Sequence, residues 1–133
     1  MNIEDIEGIG SAYAVRLKAA GIATVEALLE QGGGAKGRGA IAGATGITEG
    51  LILTWVNYAD LIRLNGVGPQ FAELLEAAGV DTVKELRNRN AANLATRLIE
   101  INEAKNISGT TPSEKQVTAW IEEAKALDPK VSH

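Results

Sequence analysis

Apolar residues recur along this chain at spacings of three and four, the period of a single buried helix face. Tyr13, Leu17 and Ala20 share one such face, and Leu51, Ile52, Trp55, Tyr58, Ala59 and Ile62 form a longer stripe. Residues that cap or end helices separate the stripes. Ser11 is the predicted N-cap of a helix over 12–20 and Gly21 its C′ residue, and Thr24 predicts the start of a helix over 25–31. The glycine-rich run 32–39 reads as a flexible connection into a short helix near 38–44, with a stop at Gly46 and a long helix capped by Thr48. That long helix is expected to run directly into the next element. Thr111-Pro112-Ser113-Glu114 combines an N-cap, a proline suited to the first helical position and a Thr-x-x-Glu capping box, which predicts a helix from about 112 to 127.

The pattern occurs twice. A shift of 58 positions lays Gly8-Ile9-Gly10 on Gly66-Val67-Gly68, Tyr13 on Phe71, Leu17 on Leu75, and Ala19-Ala20-Gly21-Ile22 on Ala77-Ala78-Gly79-Val80. Thr24-Val25 then meets Thr82-Val83. Farther on, seven inserted residues move the offset to 65, which brings Trp55 onto Trp120. Self-similarity on this scale predicts two copies of one unit, 1–60 and 61–133, each of four to five short helices, packed as one compact all-α body. Pro69 opens the helix of the second copy that ends at Gly79, where its missing N–H costs nothing.

Composition narrows the chemistry. Apolar residues make up 45% of the 133 and aromatics only 4%, so the core has to be aliphatic. There is no cysteine, which excludes disulfides, thiolate metal sites and a thiol nucleophile. The first residues, Met1 to Asp5, lack the basic and apolar regions of a signal peptide, and no apolar run reaches membrane-spanning length, so a soluble cytoplasmic protein is expected. The net charge of −4 opposes any large basic surface: residues 1–60 hold seven acids and four bases, and residues 61–133 ten and nine.

The sequence apolar-x-x-apolar-x-Gly-apolar-Gly-x-x-x-Ala-x-x-apolar appears at Ile3, Ile6, Gly8, Ile9, Gly10, Ala14 and Leu17. It returns at Leu61, Leu64, Gly66, Val67, Gly68, Ala72 and Leu75. Both copies resemble the helix-hairpin-helix motif of DNA repair and processing proteins. In that family backbone N–H groups at the start of the second helix approach a DNA phosphate, helped by the positive helix end. The resemblance therefore implies a nucleic-acid contact at Gly8, Ile9, Gly10 and Ser11 and a second at Gly66, Val67, Gly68 and Gln70, with Ile9 and Val67 packing inward. The same glycines also suit any tight helix-to-helix turn, and both readings stand at this point. Family members place Lys or Arg just after the second glycine, whereas Ser11, Ala12 and Tyr13, and Pro69, Gln70 and Phe71, stand here. Arg16 and Lys18 flank the first hairpin, Glu73 and Glu76 the second, so the first is expected to supply most of any DNA affinity, with Lys18 among the side chains that contact phosphate.

Over almost its full length the chain is also similar to the domain-of-unknown-function 4332 group of bacterial proteins. The resemblance rests on Ile6-Glu7-Gly8-Ile9-Gly10, Ala20-Gly21-Ile22, Gly37-Arg38, Thr45-Gly46-Ile47, Trp55-Val56-Asn57, Ala59-Asp60-Leu61, Gly66-Val67-Gly68 and Leu74 to Val83. It implies a tandem, SAM-like helix-hairpin-helix fold.

Other motifs lead nowhere further. Gly32 to Gly39 contains a formal Gly-x-Gly-x-x-Gly and a near P-loop, but no strand precedes it and no Lys-Ser or Lys-Thr pair completes it. Lys36 and Arg38 in that run are expected to be an exposed basic contact. His133 is the only histidine and stands at the last position, and the acids cluster at helix starts and on polar faces, so no catalytic set, metal site or cofactor site is expected. Trp55 and Trp120 read as core anchors, and Arg87, Arg89 and Arg97 as surface charges near helix ends. The sequence thus points to a non-enzymatic binding protein that takes DNA phosphates or, with the fold kept and the affinity lost, serves as a protein-interaction scaffold.

Overall fold

Each helix begins and ends on a local device that can be traced to one or two side chains. The computed structural model describes residues 1–133, with eight α-helices. They are α1 (Ser11–Ala19), α2 (Val25–Gly32), α3 (Ala35–Thr45), α4 (Glu49–Ile62), α5 (Pro69–Ala77), α6 (Val83–Leu86), α7 (Ala91–Lys105) and α8 (Glu114–Ala126). A single 3-10 turn, Ile3–Asp5, precedes α1. Two compact units divide the chain: Met1–Asp60 together with Lys130–His133, and Leu61–Pro129. The segment 130–133 therefore packs with the first unit, not with the second copy to which its position in the chain assigned it.

In the first unit, Ile3 N–H donates to the Ala23 carbonyl and Val25 N–H to the Met1 carbonyl, tying the chain start to the α1–α2 turn. Helix α1 closes with Gly21 at φ +86°: Gly21 N–H reaches Lys18 O and Ile22 N–H reaches Leu17 O, the double bond of a Schellman ending. Leu17 and Ile22 are both fully buried, which supplies the apolar contact that accompanies this ending. Ala27 N–H is capped by Thr24 Oγ1 at 3.1 Å. The core gathers Ile3, Ile6, Ile9, Leu28, Ile41, Ile47, Ile52, Trp55 and Val56. Leu51, expected in this stripe, is instead exposed.

The second unit repeats these devices at the same offset. Gly79 N–H bonds Glu76 O and Val80 N–H bonds Leu75 O, and Thr82 Oγ1 caps Glu85 N–H at 3.3 Å. Its core holds Leu64, Val67, Leu74, Leu75, Leu86, Leu94, Leu98, Val117, Trp120 and Ile121. Leu61 and Ile62, aligned with Ile3 and Glu4 of the 3-10 turn, end α4, and α5 opens at Pro69.

Three boundaries depart from expectation. Ser11 is the first residue of α1 and not its cap; Gly10 holds that place and has no side chain to offer. The cap of α8 is Ser113, two residues later than expected. Its Oγ accepts from Gln116 N–H at 3.1 Å while Gln116 Oε1 accepts from Ser113 N–H at 2.9 Å, a capping box that Thr111 and Glu114 do not form. The run 32–39 is also no flexible loop, since α3 begins at Ala35 and passes through Gly37 and Gly39. A Cβ on Gly37 would overlap the Gln31 carbonyl, so this glycine serves the close crossing of α3 over the end of α2.

Candidate nucleic-acid interface

The two hairpins share one geometry. Gly8 and Gly66 lie at φ +90° and +84°, the left-handed region where a side chain is strained. A Cβ would also meet Trp55 Nε1 at 3.3 Å in the first copy and Trp120 Nε1 at 3.5 Å in the second. Trp120 Nε1 donates to the Asn65 carbonyl at 3.0 Å, fixing the second turn. Ile9 and Val67 point inward, at 4% and 5% exposure, and their N–H groups bond back to Ile6 O and Leu64 O. Tyr13 packs edge-on against Trp55, with ring centroids 5.2 Å apart, and Phe71 packs on Trp120 at 5.5 Å.

The second glycine of each pair behaves differently. Gly10 has φ −77° and ψ 176°, Gly68 φ −97° and ψ −171°, extended conformations open to any residue. Neither has an atom within 4 Å of where a Cβ would stand. The first glycine is thus required by the turn and its tryptophan, and the second by nothing inside the molecule.

What the second glycine does is leave helix ends open. The first in-helix bond of α1 is Ala14 N–H to Gly10 O, and no side chain caps Ser11, Ala12 or Tyr13. In α5 the corresponding bond is Ala72 N–H to Gly68 O, and Pro69 has no N–H, so only Gln70 and Phe71 present amides. Thr24, Thr48, Thr82, Asn90 and Ser113 cap α2, α4, α6, α7 and α8. Only α3, which follows Gly34, joins α1 and α5 in lacking a side-chain cap.

The basic residues do not all gather there. Lys36 is exposed and unpaired. Lys18 Nζ is bound to Glu4 Oε2 at 2.8 Å, and this hydrogen bond, with one from the Glu4 backbone, holds the exposed Glu4 carboxyl below its ordinary value. Arg16 lies over the Tyr13 ring, 5.8 Å from its centroid. Arg38, expected as an exposed contact, is only 4% exposed. Its Nη1 donates to Gly32 O (2.9 Å) and Gly33 O (2.8 Å), and its Nη2 donates to Ser132 O. It closes the C-terminal end of α2 and is not available to an outside phosphate.

Around the second hairpin, Ser108 Oγ donates to Gln70 Oε1 at 3.4 Å, and Ser108 is itself held by paired bonds with the Asn102 side chain. Glu123 Oε1 accepts from Asn65 N–H at 2.9 Å. The second hairpin thus carries one acid, Glu123, on its turn and a side-chain contact at Gln70, neither of which has a counterpart among the bonds of the first. Arg87 and Arg89 are committed to Leu127 O and to Glu85 and Gly79 O, and Arg97 pairs with Glu100. No group of three His, Asp or Glu residues is placed to hold a metal ion, and no helix is long and apolar enough to cross a membrane.

These features define an all-helical protein with two glycine hairpins that open onto helix N-termini. The chain belongs to the family described as Domain of unknown function (DUF4332), whose model matches residues 7–127. Neither the curated proteins nor the solved structures contain a match to it.

Proposed function

We propose that the chain is a tandem helix-hairpin-helix protein, without enzymatic activity, that binds the phosphate backbone of DNA at the N-terminus of α1. The observation that carries this reading is the pair Gly10 and Gly68. A glycine with ordinary dihedrals and empty space about it has no structural task, and both occurrences stand where a side chain would screen the first amides of a helix. An anion placed there accepts hydrogen bonds from Ser11, Ala12 and Tyr13 N–H and meets the positive helix end, worth about 0.3–1 kcal/mol from the dipole alone. Arg16, over the Tyr13 ring, supplies further positive charge, and Lys36 is an exposed cation elsewhere on the first unit. The second hairpin, with one amide fewer and Glu123 nearby, contributes less.

With two phosphates contacted, the affinity follows a slope of about −1.8 in log–log salt dependence, roughly a twelve-fold loss from 50 to 200 mM salt. Fluorescence anisotropy of labelled duplex and single-stranded DNA over that range tests the proposal. An absence of binding at the low-salt end defeats it.

A second reading, a protein-interaction scaffold, is favoured by the net charge of −4 and the sequestration of Arg38. An open groove of about 410 Å³ on the first unit, lined by Ala20, Ile22, Gln31, Gly37, Ala40, Ile41 and Ala44, is the surface this reading uses. Under it, Gly10→Ser leaves function untouched.

A further inference from the structure

The turn of the second hairpin holds one residue with a chemistry that the first lacks. Asn65 precedes Gly66, where Glu7 precedes Gly8. Asn65 and Gly66 are both exposed. The hydrogen bonds of Asn65 are all made by its main chain: its N–H donates to Glu123 Oε1 at 2.9 Å and its carbonyl accepts from Trp120 Nε1 at 3.0 Å. Its carboxamide is left without a partner, and Gly66 N–H donates to no group in the chain. Gly66 also has no side chain to stand between its nitrogen and the Asn65 carboxamide. The indole completes the arrangement, because the carbonyl it holds belongs to the same peptide group as the Gly66 nitrogen. When that nitrogen loses its proton, negative charge spreads onto the carbonyl oxygen, and a donor already in place there stabilises the anion.

We propose that Asn65 is a site of spontaneous deamidation in the folded protein, with Trp120 raising the acidity of the attacking nitrogen. Base from solvent takes the Gly66 N–H proton, and the nitrogen attacks Asn65 Cγ. As the N–Cγ bond forms, the Cγ–Nδ2 bond breaks, and Nδ2 takes a proton from water and leaves as ammonia. The cyclic imide then adds one water. Addition at Cγ breaks the new N–Cγ bond and gives aspartate in the ordinary linkage; addition at the main-chain carbonyl carbon breaks the original peptide bond and gives isoaspartate. Nothing is oxidised or reduced. Aspartate places a carboxylate where the first copy has Glu7 and adds one negative charge to the net −4. Isoaspartate also turns the carbonyl held by Trp120 into a carboxylate and lengthens the turn by one main-chain carbon. Either product sets an acid beside Glu123. Glu7 has no amide to lose, so the two hairpins diverge as the protein ages. The inference is independent of the phosphate reading.

Full-length protein held for weeks at mildly alkaline pH, native and in guanidinium chloride, tests this, with residue 65 followed by peptide mapping and an isoaspartate assay. The seven other asparagines each precede a residue with a side chain and serve as references. Native protein is expected to convert Asn65 to a mixture of aspartate and isoaspartate while the references stay intact, and to do so at least as fast as the denatured chain, which has lost the indole donor. A native rate below the denatured one, or no conversion at all, overturns the proposal. Trp120→Phe keeps a ring in the core and removes the N–H, and its native rate is expected to be about ten-fold lower. An equal or higher rate overturns the role given to Trp120. Should that variant fail to fold by circular dichroism, the native and denatured rates of the unaltered chain decide.

Discussion

Substituting the two glycines of the first hairpin one at a time separates architecture from function. Gly8→Ala forces an L-residue to φ +90° and brings its Cβ to 3.3 Å from Trp55 Nε1, closer than ordinary van der Waals contact. The left-handed backbone alone costs about 1–2 kcal/mol, and displacement of a tryptophan only 2% exposed adds to it. For a unit of this size, that corresponds to a fall of roughly 5–15 °C in melting temperature. Gly10→Ser, two residues away, meets no neighbour and no forbidden dihedral. Its hydroxyl can cap Ala12 or Tyr13 N–H, and the unfolded chain loses freedom, together a gain of about 0.4–1 kcal/mol. Melting by far-ultraviolet circular dichroism measures both. If Gly10→Ser destabilises as much as Gly8→Ala, the second glycine has a structural task and is not kept free for a ligand. If instead Gly10→Ser is stable and retains full DNA affinity, the open amides are not the contact.

Lys36→Glu, on an exposed and unpaired side chain, is expected to lower DNA affinity while stability stays within about 0.5 kcal/mol. Arg38→Glu behaves oppositely. It strips Gly32 O, Gly33 O and Ser132 O of their donor and buries an acid among carbonyls, a loss of about 2–4 kcal/mol visible in urea unfolding. A neutral Arg38→Glu melt contradicts its burial. Ser113→Ala should cost about 1 kcal/mol through the lost capping box of α8, with Thr111→Ala close to neutral, and the reverse order would restore the earlier boundary. For the Glu4–Lys18 pair the folded carboxyl titrates below its unfolded value, so its contribution is complete above the ordinary glutamate range and disappears as pH falls through the folded value. Stability measured from about pH 5 downward should therefore fall less steeply in Lys18→Gln than in the wild type, and parallel curves would deny the pair any role.

How far the sequence could be read depended on the range of the interaction involved. The Gly21 and Gly79 endings and the Thr24 and Thr82 caps were legible because each is decided within four residues by one side chain or one φ angle. The start of α8 was local too, but two capping sets compete two residues apart, and the reach of Gln116 back to Ser113 N–H decides between them. The helical state of 35–39 was hidden, because glycine disfavours a helix locally and only the close crossing at Gln31 calls for it. Arg38 was misplaced for the same kind of reason: its partner Ser132 lies 94 positions away, and no short pattern signals that contact. As for the site, the spacing of the glycines was visible, whereas the difference between Gly8 and Gly10 appears only once dihedrals and neighbours are known.

Backbone amides are the proposed contact, and amide-resolved chemical shifts report on them directly. With a short DNA duplex added at low salt, the Ser11, Ala12 and Tyr13 resonances should move first and furthest, with smaller shifts at Gln70 and Phe71 and all of them reversed by added salt. DNA binding that leaves Ser11 to Tyr13 unmoved, or no binding at all, would contradict the assignment of the α1 N-terminus as the phosphate site.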